Sequence, residues 1–150
     1  MARILPFVLP AVIATTTCAA PARNVAAEAA NEAMVVRFYD ELFNEHDLAA
    51  LDRYVGPTYT QHNPMATDGK ETLRALFGPY FQAHPGYHAT IARSAAEGDL
   101  VFLHVHAQES PDDRGRAVVD IFRVAGGKVV EHWDVVQPVP DKTASGHPMF

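Results

Sequence analysis

The residues best equipped for chemistry are the histidines, eight in all, and a few carboxylates set inside apolar runs. Asp120 interrupts Ala117-Val118-Val119-Asp120-Ile121-Phe122, where every near neighbour is apolar. Desolvation there disfavours the ionised carboxylate and raises its pKa above the reference of about 3.9, unless a cation or hydrogen bonds pull it back. A raised value suits a general acid or base working near neutral pH. In Leu100 to Ala107, alternation puts Leu100, Phe102, His104 and His106 on one face and Val101, Leu103, Val105 and Ala107 on the other. The fully apolar face must be buried, so the two imidazoles either face outward or line a cavity. Val129 to Val136 likewise sets Val130, His132, Asp134 and Val136 against Val129, Glu131, Trp133 and Val135. A three-residue loop Ala125-Gly126-Gly127 places Asp120 across from His132 and Val118 across from Asp134, giving a polar cluster. A two-residue Gly-Gly turn pairs Asp120 with Trp133 instead. The first register is the expectation; in the alternative, His132 and Asp134 bond one another or lie on the surface. Gln61-His62-Asn63-Pro64 is a further candidate, because Pro64 biases Asn63 toward extended backbone and such a loop can set His62 at a pocket mouth or simply cap a helix.

So many imidazoles also raise the question of a metal. His62, His104, His106 and His132 supply nitrogen donors, and Asp120 or Asp134 an oxygen. The spacing is not specific, however, and no His-Glu-x-x-His helix is present, so no metal ligand is assigned. No glycine-rich phosphate loop and no nucleophile elbow occurs, which argues against nucleotide binding and serine hydrolysis.

These side chains need a scaffold, and the apolar spacing supplies one. From Asn24 to Asn44 there is no Gly or Pro, and Met34, Val35, Phe38 and Leu42 recur at helical steps. Asp47 is a candidate N-cap for a short second helix with Leu48, Leu51 and Val55 on one face, stopped by Gly56-Pro57. A third helix follows Asp68-Gly69 and should kink or end at Pro79. Beyond Pro85-Gly86 the period becomes two, in segments near 87–97, 99–109, 116–124 and 128–137. Helices followed by a meander of four antiparallel strands predict an α+β domain, with a twisted sheet wrapped over helices and a cavity between them.

Composition sets the outer bounds. At 150 residues, with 48% hydrophobic and 20% charged, the chain suits one domain with a real core. Its net charge of −6 repels phosphate backbones and anionic lipid, so no nucleic-acid partner is expected. Arg3, the apolar run Ile4 to Ala14 and Ala20-Pro21-Ala22 read as a secretory leader over 1–22, too short to span a bilayer, and imply an exported (periplasmic or secreted) protein. Cys18 is the single cysteine, so no intramolecular disulfide can form; a lipidated Cys18 is the minor alternative. The domain then covers 23–137. The tail 138–150, rich in Pro and polar residues, is either disordered or folds Met149 and Phe150 back over apolar surface.

Tyr59-Thr60-Gln61-His62-Asn63-Pro64, Gly98-Asp99-Leu100-Val101, the block VVDIFRVAGGKVVEHWDVVQPVP and the terminal Gly146-His147-Pro148-Met149-Phe150 together resemble the SnoaL-like polyketide cyclase family, from about Ala33 to the C-terminus. The terminal segment is similar to a branch assigned to aldol condensation. The resemblance implies the nuclear-transport-factor-2-like cone, a curved antiparallel sheet closed by about three N-terminal helices around a pocket. It implies cofactor-independent acid–base chemistry on a small carbonyl compound, of aldol cyclase, lyase or isomerase type, with Asp120 at the position of the family's acid–base aspartate. His104 and His132 then join Asp120 in catalysis. His62, Asn63, His106, Asp134, Phe122, Trp133 and Tyr39 line the substrate site. It also implies a homodimer packed through the outer sheet face. The superfamily holds non-enzymatic binders too, so a ligand-binding or interaction module of the same fold stays open.

Overall fold

The computed structural model describes residues 22–150; residues 1–21 of the expected leader, Cys18 among them, lie outside the described residues. Helix α1 spans Val25–Phe43, α2 Ala50–Tyr54 and α3 Lys70–Ala83. The strands are β1 Val55–Gln61, β2 His88–Glu97, β3 Leu100–Gln108, β4 Arg116–Ala125 and β5 Lys128–Pro138. They form one sheet in the order β1-β5-β4-β3-β2, antiparallel except for β1, which runs parallel to β5. No helix among the described residues is long and apolar enough to cross a membrane.

Asn24 starts α1 by accepting the Ala27 N–H on its side chain at 3.1 Å. The buried face then carries Val35, Phe38, Tyr39 and Leu42 at steps of three and four. Those residues pack on the inner face of the sheet, where Val101, Leu103, Val105 and Ala107 of β3 and Phe122 and Val124 of β4 complete the core. The four strands read from period-two alternation lie within about a residue of their expected bounds.

Three expectations need correction. Val55-Gly56-Pro57 does not end a helix but opens β1, a fifth strand that makes the sheet mixed. Pro57 is tolerated because β1 is an edge strand whose pairing is interrupted between Val55 and Thr60. Gly56 suits the same place, since a Cβ there would lie 3.2 Å from Val130 Cγ1. Helix α3 continues through Pro79 to Ala83, losing one backbone donor while Phe77 and Phe81 hold the last turns against Phe43. The β4–β5 turn is the two-residue Gly126-Gly127, both at positive φ, as a tight hairpin turn with the twist of the sheet requires. A bulge then skips Val130, so Asp120 lies across from Asp134 and Phe122 across from His132, a register that neither expected loop gave.

Past β5 the tail turns back on the outer face of the sheet. Val139 N–H bonds the Gly115 carbonyl, Arg114 pairs with Asp141, and the Phe150 ring stacks on His104 and His106 at 5.2 and 4.4 Å. Of the two tail readings, the folded-back one describes Phe150.

Candidate functional site

Strand parity decides which chemistry-bearing side chains meet. The bulge at Val130 puts His132, Asp134 and Val136 on the inner face, with Val118, Asp120 and Phe122 of β4. On the first strand Tyr59 and Gln61 point inward, and Asn63 continues the alternation just beyond it. These residues surround a cavity of about 250 Å³, whose remaining wall is aromatic and aliphatic, chiefly Phe38, Leu42, Phe43, Leu73 and Phe77.

At one end of this cavity the hydrogen bonds fix protonation. Gln61 Oε1 accepts the Asn63 N–H at 3.0 Å while Gln61 Nε2 donates to the Tyr59 hydroxyl at 3.1 Å, so the amide orientation is determined. His132 Nδ1, 2.9 Å from the same Oε1, must therefore carry a hydrogen. His132 Nε2 lies 2.9 Å from Asp120 Oδ1. Two lone pairs cannot face each other at that distance, so Asp120 and His132 hold one proton between them, as carboxylate and imidazolium or as carboxylic acid and imidazole. Tyr39 donates its hydroxyl to Asp120 Oδ2 at 2.9 Å, and burial together with the Asp120 charge holds that phenol well above its ordinary pKa, as a donor. Burial pushes the Tyr59 phenol up as well. Tyr59 accepts from Gln61, and its own hydroxyl hydrogen has no protein acceptor among the described residues.

Asp134 stands beside this pair and is held by Asn63, whose Nδ2 donates to Asp134 Oδ2 at 2.6 Å. The Asn63 amide is also fixed, because its Oδ1 accepts the Met65 N–H at 2.8 Å. Asp120 is 5% exposed and His132 8%, yet both have partners for every polar atom, so their burial is compensated. One donor atom from each of Asp120, His132 and Asp134 lies within 4.8 Å of the others, a spacing that three metal ligands also satisfy. Their present partners, Tyr39 and Asn63, occupy one oxygen of each carboxylate.

A SnoaL-like domain matches residues 35–132, well over half of the chain. The chain belongs to the SnoaL-like family. Solved structures share the fold of this SnoaL-like protein at low identity. TsrD from Streptomyces laurentii is 22% identical with a TM-score of 0.61, over 73% of this chain and 89% of that one. AclR from Streptomyces galilaeus, a candidate hydroxylase, is 21% identical at 0.61, over 73% and 90%. A candidate polyketide cyclase from Acidithiobacillus ferrooxidans is 17% identical at 0.61, over 72% and 88%. A search of curated protein sequences finds no match. The α+β architecture, with a curved sheet closed by N-terminal helices, is the nuclear-transport-factor-2-like cone expected from the sequence.

Of the residues singled out in this SnoaL-like sequence, the structure brings Asp120, His132, Asp134, Asn63, Phe122 and Tyr39 to one cavity. Four others lie elsewhere, correcting the expectation that they line it. His104 and His106 are on the outer face, because Leu103, Val105 and Ala107, which alternate with them, are buried in the core. There Arg93 approaches His104 Nδ1 at 3.1 Å, and His106 Nε2 meets the Arg114 carbonyl at 2.8 Å. His62 stacks on Trp133 at 4.7 Å and bonds Glu131 at 2.8 Å, again outside. Gln61 and Tyr59 do what was expected of His62, and the signal for them was available: once Val55–Gln61 is a strand, residues 59, 61 and 63 share a face and 62 does not.

Proposed function

We propose that this SnoaL-like protein carries out cofactor-independent acid–base chemistry on a small carbonyl compound held in the apolar cavity, by aldol-type cyclisation, lyase or isomerase steps. The observation that carries this reading is the 2.9 Å contact between Asp120 Oδ1 and His132 Nε2 inside that cavity. In its carboxylate form, Asp120 takes a proton from the carbon beside the substrate carbonyl. The C–H electron pair becomes the C=C of an enolate, whose oxygen accepts the free Tyr59 hydroxyl hydrogen as a hydrogen bond. The enolate carbon attacks a second carbonyl carbon, and Asp120 returns the proton to the resulting alkoxide, so charge and protons balance over the cycle. For an isomerase the proton returns to a different carbon. His132 keeps the pair neutral overall, and Asp134 and Asn63 bound the substrate on the β5 side.

The direct test is exchange of α-hydrogens for deuterium in a panel of ketones and 1,3-dicarbonyls, followed by proton NMR with Asp120→Asn as the control. Exchange above the solvent rate in the native protein and its loss in the variant are expected; equal rates in both would sink the assignment. A second reading rests on another observation, that protein partners already engage both oxygens of Asp120 and both ring nitrogens of His132, as in a binding module that never turns its ligand over. Ligand recovered unchanged after long incubation, with affinity sensitive to Asp120→Asn, is its signature. A metal-dependent reading draws on the 4.8 Å grouping of Asp120, His132 and Asp134, and stoichiometric metal in untagged, chelator-free protein is what it requires.

Two features of the whole chain belong to the same proposal. Export through residues 1–22 predicts a mature N-terminus near Ala22, read by sequencing the exported protein. A homodimer packed through the outer face is supported by the exposed Val119 and Val135 beside Ile121 and Trp133. A monomeric mass by light scattering at micromolar concentration refutes it.

A further inference from the structure

The cavity has a polarity that the acid–base cluster does not use. Arg116 lines it too and is, among its described lining residues, the sole Lys or Arg. Arg116 and Asp120 stand on the same face of β4 four residues apart, roughly 13 Å at strand rise. Val118 lies between them, so one wall runs from carboxylate through apolar surface to guanidinium. The guanidinium is positioned by a single nitrogen: Arg116 Nη2 donates to the Tyr80 hydroxyl at 3.0 Å and to Glu109 Oε1 at 3.2 Å. Its Nε and Nη1 have no hydrogen-bond partner among the described residues and remain as donors for an anion, whereas Nη2, which both two-point forks of a guanidinium share, is already engaged. Glu109 reaches neither Nε nor Nη1. Its Oε1 also accepts from Tyr80 at 3.0 Å, and its Oε2 faces His84 Nδ1 at 3.6 Å.

We propose that Arg116 is an anion subsite at the end of the cavity opposite Asp120, and that the ligand is an amphipathic carbonyl acid, with an apolar body and a carboxylate at the end remote from the reacting carbon. Asp134 at the far end repels that carboxylate while Arg116 attracts it, which orients the ligand along β4. Placing the ligand's carbonyl at Asp120 rests on the function proposed above; the anion subsite does not.

The test is therefore a binding measurement. Titration calorimetry compares 4-phenylbutyrate with its neutral isostere 4-phenylbutanamide on the full-length mature protein. The acid should bind at least about tenfold more tightly, the scale of a charge-assisted hydrogen bond. Arg116→Gln should bring the two within about twofold, and Asp120→Asn should preserve the preference. Glu109→Gln, which removes the competing carboxylate, should tighten the acid several-fold and leave the amide unchanged. Equal affinities in the native protein, no binding of the acid at millimolar concentration, or a preference that survives Arg116→Gln overturns the subsite. If Arg116→Gln does not fold, Glu109→Gln decides, and an acid affinity that fails to rise overturns it as well. Loss of the preference with hydrogen exchange intact rejects the subsite alone; preference without exchange rejects the proposed chemistry alone.

Discussion

The two faces of the sheet carry the same residue types under opposite conditions. On the inner face His132 sits between Gln61 and Asp120, 8% exposed, with both ring nitrogens committed and one proton shared with a buried carboxylate. On the outer face His104 and His106 are stacked under Phe150, and His62 lies flat on Trp133. Those rings contribute surface and edge contacts, outside the cavity. An imidazole's capacity for chemistry here depends less on its presence than on which side of a pleat it occupies. A one-residue shift in any strand would trade the two sets.

The largest effect that sharpens this contrast is on turnover. Asp120→Asn should lower the rate of hydrogen exchange or condensation by about 10²–10⁴-fold, while His104→Gln and His106→Gln leave it within about twofold. Steady-state rates on a substrate found by the exchange panel check both, and a large loss in an outer-face variant breaks the division between faces. Next in size is Tyr59→Phe, which keeps the ring and removes the free hydroxyl hydrogen. A fall of about 10²-fold in kcat with little change in KM is expected if Tyr59 bonds the enolate and not the ground-state carbonyl. A change confined to KM assigns Tyr59 to binding.

Much of this was legible in the residues. Alternation in Leu100 to Ala107 is strong because one face of the strand is wholly apolar, and Asp120 stood out as the one carboxylate interrupting the apolar run Ala117 to Phe122. The expected cluster of Asp120, His132 and Asp134 exists, but through a different pairing. Gly126-Gly127 makes the tight turn, and Val130 is absorbed by a bulge that nothing local in Lys128-Val129-Val130-Glu131 announces. What hid Gln61 and Tyr59 was the first strand itself. Gly56-Pro57 reads as a breaker, and only pairing with β5, seventy residues on, gives Val55–Gln61 an extended backbone and hence a parity. Tertiary partners decided there, where propensity alone pointed to a stop.

The outer face supplies a smaller test, in stability. Phe150→Ala removes the stack on His104 and His106 and should cost under about 1 kcal/mol, because the ring is half-buried and leaves no buried polar group unpaired. Urea denaturation measures it, and a loss several times larger would mean that the tail is integral to the fold.

A second buried carboxylate separates burial from chemistry. Glu28 in α1 is as buried as Asp120, at 5% exposure each, but its partners are not titratable near neutrality: the Arg23 guanidinium and the Gly98 N–H at 3.0 Å. The Arg23 hydrogen bond first, and then that of Gly98, holds the Glu28 carboxyl below its ordinary pKa. This ties the start of α1 to the β2–β3 turn and stores nothing that can move. A depressed folded-state pKa means that the stabilisation is fully present above the unfolded value of about 4.3 and is lost as pH falls through the lower folded value. Glu28→Gln should therefore lower stability at pH 7 without affecting hydrogen exchange, and its deficit relative to the native protein should shrink below about pH 4. Denaturation curves for both proteins at pH 7 and in acid measure this. A deficit that stays constant with pH would locate the contribution of Glu28 in its packing and not in its charge.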